Sequence, residues 1–137
     1  MRIVPSILAM LGLGLILKMD GVTIEKRWLS VSYYTDSNGS PPFEGEMRSG
    51  YFTRPGVAAC GMTYFEERAG VLLYGRDLLC LDTGGSITDQ HLDVWIDGSP
   101  EAARQLGRHR EQAIIIREGN SGPENRGERV LYRSAAR

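Results

Sequence analysis

"CLDTGGSITDQHLDVW" (residues 80–95) ends one apolar run on Asp82, turns at Gly84 and Gly85, and plants a second carboxylate, Asp93, inside the next apolar run, two places before Trp95. In "LDVWI" the apolar Leu92, Val94 and Ile96 alternate with Asp93, Trp95 and Asp97, which is the period of a strand with one face on a core. Asp93 and Trp95 therefore share the opposite face. A flat indole beside a carboxylate suits a sugar, because the ring stacks on the apolar face of a pyranose while the acid reaches a glycosidic oxygen. The plainer alternative is that Trp95 covers a sheet edge and Asp93 solubilises a strand. Asp82 closes "LLCLD", and Thr83, Gly84 and Gly85 allow a sharp turn that brings the two aspartates to one end of a barrel. Two carboxylates held close, with partial burial, raise the pKa of one and keep a proton available for general acid work. Asp82 can equally accept the turn's amide hydrogens and hold the loop. His91 opens the second run as a cleft donor or as an ordinary strand residue.

Composition bounds the rest. A chain of 137 residues with a net charge of −1 and 42% hydrophobic residues fits one compact domain with terminal extensions. Residues 1–99 carry 8 basic and 12 acidic side chains, and residues 100–137 carry 8 and 5. The basic excess of the second part is small and spread over a helix, a strand and a tail, so nucleic acid is not an expected partner. Only His91 and His109 supply imidazoles, so no metal site is expected, and no phosphate loop, dinucleotide fingerprint or Ser-His-Asp spacing appears, so no cofactor is expected either.

Outward from the opening stretch the chain reads as short strands between turns. "WLSVSYY" (28–34), "GVAAC" (56–60), "GVLLYG" (70–75), "DLLCLD" (77–82), "HLDVWID" (91–97) and "AIIIR" (113–117) are strand candidates, most of them bounded by Gly, Asp or Asn. Residues 35–50, "TDSNGSPPFEGEMRSG", form a long loop of the kind that lines sites in small domains. One helix is expected after Ser99, with Pro100 in its first turn and Ala103 and Leu106 on one face. Residues 119–137 are polar and Gly-rich, a flexible tail. The expected architecture is mainly β: a small six-stranded barrel over residues 28–118 with one short helix, behind an apolar leader.

That leader, "IVPSILAMLGLGLIL" (3–17), follows Arg2 and is uncharged over 15 residues. A charged start and an apolar run match a secretory signal, whereas a helix of that length rises only about 22 Å against roughly 30 Å of hydrocarbon. "KMDGVTIEKRW" offers no small-x-small cleavage site, so residues 1–27 stand as a signal peptide or a membrane anchor, with a core helix as the lesser alternative. Either of the first two places the protein outside the cytoplasm, in the cell envelope or beyond it.

"DTGGSITDQHLDVW", with "GVAACG" upstream and "SPEAARQLGRHREQAIII" downstream, resembles the three-aspartate (3D) domain, a double-psi β-barrel related to lytic transglycosylase A and rare lipoprotein A. "SYY" and "MRSGYFTRPGVAACG" resemble that family's opening strand and its entry into the barrel. The resemblance spans about residues 30–117. It implies a peptidoglycan-active enzyme that cleaves a glycosidic bond, with Asp93 as catalytic acid and base and Asp82 in support. The residue pattern adds Thr83, Gly84, Gly85, His91 and Trp95 as the expected substrate contacts, in an exported protein expected to be a monomer. The sequence departs from the pattern at one place: where the family's first aspartate is expected, this chain has Cys60. In that respect it is similar to a subgroup of exported barrels with a cysteine pair at the positions of Cys60 and Cys80. Two cysteines on barrel strands of an exported protein favour a disulfide, the alternative being two buried thiols. A site short of one carboxylate also leaves open a non-catalytic glycan-binding module, and an endoglucanase or expansin-like barrel shares the fold.

Overall fold

The computed structural model describes residues 6–7, 16–19, 21–36 and 45–118. The expected tail, the centre of the long loop and most of the apolar leader lie outside them. The strands are β1 (Ser6–Ile7), β2 (Ile16–Met19), β3 (Val22–Tyr34), β4 (Val57–Cys60), β5 (Gly70–Leu73), β6 (Arg76–Asp82), β7 (His91–Trp95) and β8 (His109–Glu118), with helices α1 (Met62–Glu66) and α2 (Pro100–Leu106). Six of them close a barrel in the order β3-β7-β4-β6-β5-β8, because β8 pairs back along β3 from Val22↔Glu118 to Val31↔His109. The pairing is mixed: β3 runs parallel to β7 and β4 parallel to β6, while the remaining neighbours are antiparallel. The mainly β, closed six-stranded architecture is the one expected from the sequence.

Alternation along the strands builds the interior. Leu29 and Val31 of β3, Ala58 and Cys60 of β4, Val71 and Leu73 of β5, Leu78 and Cys80 of β6, Leu92 of β7, and Ala113 and Ile115 of β8 form one buried cluster. Cys60 and Cys80 are joined inside it as a disulfide, with Cα atoms 5.6 Å apart, and both residues are buried. Strands β5 and β6 form a hairpin whose two turn residues, Tyr74 and Gly75, both have positive φ (51° and 70°), as the favoured two-residue turn requires.

Three differences from the sequence reading matter. First, β3 starts at Val22 rather than Trp28, because "VTIEKR" hides an inward-facing Glu25 that is only 6% exposed. Its Oε1 pairs with Arg117 Nη1 at 2.7 Å, and its Oε2 accepts from the Tyr64 hydroxyl at 3.1 Å. Arg117 also grips Glu67 through two hydrogen bonds, so an ionic cluster closes this end of the barrel. Second, there is a helix that the pattern did not announce: α1 is five residues long and its N-cap, Gly61, offers no side-chain bond. In α2 the cap is as expected, Ser99 Oγ accepting from Ala102 N at 3.2 Å, but Ala103 is buried while Leu106 is exposed. Third, residues 16–19 of the leader and its flank are extended and pair antiparallel with β3, outside the barrel. Among the described residues no helix is long and apolar enough to cross a membrane.

Candidate functional site

The connection from β6 to β7 is not a hairpin, since β4 lies between the two strands. Two turns make the crossing, one closed by Ile87 N donating to Gly84 O and one by His91 N donating to Thr88 O, each at 3.0 Å. Gly84 and Gly85 have no positive φ, and a Cβ at either would meet nothing closer than 3.8 Å. The expectation that their backbone freedom makes the turn is therefore corrected. The two aspartates are brought together by register instead: Ala59 of β4 pairs with Asp82 on one side and with Asp93 on the other. Their Cα atoms are separated by two strand spacings, about 10 Å.

Alternation along β7 is as read, with Leu92 and Val94 against the interior cluster and Asp93 and Trp95 on the opposite face. That opposite face is covered at Trp95. Met47, Val57, Leu79, Leu81 and Trp95 form a second buried cluster, with Tyr34 and Tyr51 packed on it. Residues 45–53 fold back over these strands, with Met47 N donating to Tyr51 O and Ser49 N donating to Leu81 O. Trp95 is 9% exposed, and its Nε1 donates to Asp36 Oδ1 at 2.8 Å. The indole is a core residue with a satisfied N–H, which removes it as a stacking platform for a sugar.

Asp82 is held at the β6 end of the site. Its Oδ1 accepts from Arg48 N at 2.9 Å and Thr83 N at 3.0 Å, and its Oδ2 accepts from the Tyr34 hydroxyl at 3.2 Å. Burial and the adjacent Asp82 carboxylate push the Tyr34 phenol far above its ordinary value, so it stays a donor. Thr83 is engaged by the backbone, its Oγ1 donating to the Cys60 carbonyl at 2.8 Å.

Asp93 is half-buried, and its oxygens are less fully engaged. Among the described residues its one hydrogen-bond donor is Ser32 Oγ, 3.0 Å from Oδ1, supplied by the parallel neighbour β3 through the register Ser32↔Asp93. Ser32 Oγ also lies 2.7 Å from His91 Nε2. Burial raises the Asp93 pKa, opposed by the Ser32 hydrogen bond and by the positive potential of His91 and Arg108, and supported by the Asp82 charge. Burial and the nearby Arg108 lower the pKa of His91. The cluster thus contains one carboxyl biased toward its protonated form beside an imidazole biased toward neutrality. Ser32, Tyr34 and the Arg48 amide belong to it and were missed, since "WLSVSYY" presents its serines as the polar half of an ordinary strand. Their only sequence signal is the loop 35–50, whose described end reaches Asp82. Cys60, where a further carboxylate is expected from the resemblance, is closed into the disulfide below the site.

Among the described residues no group of three or more His, Cys, Asp or Glu side chains converges on a metal-sized space. Comparison of the chain with models of protein families, with curated proteins and with solved structures finds no match.

Proposed function

We propose that this chain is an exported, peptidoglycan-active lytic transglycosylase-like enzyme in which Asp93 is the general acid and base. The observation that carries the reading is the unlike environment of the two aspartates. Asp82 accepts from three donors, whereas Asp93 is half-buried, has its pKa raised, and among the described residues accepts from Ser32 alone. Pairs of carboxyl groups set apart in this way divide the acid and supporting roles between them. In the reaction Asp93 gives its proton to the glycosidic oxygen as the bond to the anomeric carbon breaks. The sugar's own primary hydroxyl then attacks that carbon, and Asp93 takes the hydroxyl proton, leaving a 1,6-anhydro ring and a carboxyl ready for another turn. No water is consumed. One carboxyl suffices for both steps, so the absence of an acid at Cys60 does not break the cycle. Binding of the glycan falls to groups other than Trp95.

Incubation of the purified protein with peptidoglycan sacculi should release anhydro-muropeptides detectable by mass spectrometry, and Asp93→Asn should reduce that release by at least a thousandfold while sedimentation with sacculi persists. Binding by the wild type without any anhydro product would instead identify a glycan-binding module.

A further inference from the structure

We infer that Ser32 is a positioning residue for Asp93, with His91 in contact behind it: the Ser32 hydroxyl donates to Asp93 Oδ1, fixing that oxygen and leaving Oδ2 to carry the exchanging proton. The inference rests on the reading of Asp93 as the acid and base. Ser32 Oγ stands 2.7 Å from Nε2 and 3.0 Å from Oδ1, so one hydroxyl bridges two side chains of β7 from the neighbouring strand. A serine has a single proton to give. With an ionised Asp93, which can only accept, that proton must go to Oδ1, and the Oγ lone pair is then open to a donor. His91 Nε2 lies against that oxygen, and the Arg108 guanidinium, which can only donate, faces the same nitrogen.

The groups around this chain come from four segments. From β3 come Ser32 and, farther along, Tyr34. From β7 come His91 and Asp93, from β6 Asp82, and from the segment between α2 and β8 the Arg108 guanidinium, whose Nη2 is 3.4 Å from His91 Nε2. Burial and Arg108 lower the His91 pKa, opposed by the Asp93 charge. Asp82 cannot substitute for Ser32, since it donates nothing and its own oxygens are engaged by Tyr34 and two backbone amides. A rotating carboxyl would present its proton in several directions. Pinning Oδ1 removes that freedom, which is how a supporting hydroxyl contributes to a proton transfer at the other oxygen.

The test pairs an equilibrium readout with a kinetic one on the full chain. Carbon-detected NMR titration of the Asp93 carboxyl should show its pKa rising in Ser32→Ala, since the donor that favours the charged form is gone, and returning in Ser32→Thr. His91→Leu should move it the same way by less. In the anhydro-muropeptide assay Ser32→Ala should lower kcat about tenfold with KM little changed, and the alkaline limb of the rate profile should shift to higher pH; Ser32→Thr should restore both. An Asp93 titration identical in wild type, Ser32→Ala and His91→Leu would overturn the inference even if sacculi are cleaved. Absence of cleavage by wild type would sink the enzymatic reading alone, the titration still deciding whether the chain sets the proton on Asp93.

Discussion

At the scale of single residues, Asp93 carries a stability signature that follows from its environment. Its folded-state pKa lies above the unfolded value because burial disfavours the anion. Such a group contributes stability that is fully present below the unfolded pKa and is lost as pH rises through the folded one. Asn keeps the shape and can still accept from Ser32, but has no charge to bury. Asp93→Asn should therefore raise the melting temperature at pH 7, and the gain should shrink as pH is lowered toward 4; a variant less stable than wild type at pH 7 would mean that the anion is stabilised where it stands. The same titration sets activity, so kcat/KM should decline as pH rises through the raised Asp93 pKa. Trp95 illustrates the opposite error of reading. Its position on the Asp93 face was legible from alternation, but its burial depends on Met47, which comes from a loop whose docking no local pattern announces. Truncation to Trp95→Ala should cost about 3–5 kcal/mol of folding stability, read by chemical denaturation, rather than a selective loss of sugar binding. A folded, fully stable variant with weakened glycan affinity would restore the indole to the site.

At the scale of elements, the strands that were legible are those whose apolar pattern is uninterrupted: β4, β5 and β7 lie within the stretches that their patterns marked, and β6 exceeds its stretch by Arg76 alone. Where a charge sits inside, the period breaks and the strand disappears from view. Glu25 conceals the first part of β3, and β8 starts at His109 rather than Ala113 because "HREQ" reads as polar surface. These two concealed segments pair with each other's strands and close the barrel. Helix α1 is invisible for a different reason, since five residues without a capping side chain leave no helical period to count. The buried charge makes its own prediction. Arg117→Ala would leave Glu25 in the barrel end without its cation, and breaking such a pair costs about 3–5 kcal/mol, more than most surface substitutions. Denaturant unfolding at pH 7 should show the loss, and Glu25→Gln combined with Arg117→Ala should recover part of it. A double variant no better than the single one would indicate that Glu25 is held by Tyr64 alone.

At the scale of the whole molecule, closure of the barrel depends on covalent and non-covalent links far apart in sequence. The Cys60–Cys80 bond closes a loop between β4 and β6, which are parallel neighbours, and should stabilise the fold by about 3 kcal/mol through the unfolded chain. Reduction should lower the melting temperature accordingly; an unchanged transition would show that packing alone holds the two strands. The boundary of the folding unit follows from the register of β3. Strand β2 adds to β3 from outside the barrel, pairing Ile16↔Glu25 through Met19↔Val22, whereas residues 22–27 pair with β8 from Val22↔Glu118 to Arg27↔Ala113. Removing residues 1–20 takes away β1 and β2 but leaves every barrel pair, so that shortened protein should fold with its disulfide formed and melt within a few degrees of the full chain. Removing residues 1–27, the division suggested by the visible strand at Trp28, deletes Glu25 along with the paired half of β3. Arg117 then loses its buried partner, and the inner face of β8 loses the strand that covers its edge. That protein should unfold many degrees lower or aggregate, and equal melting temperatures for the two truncations would show that the barrel closes without residues 22–27.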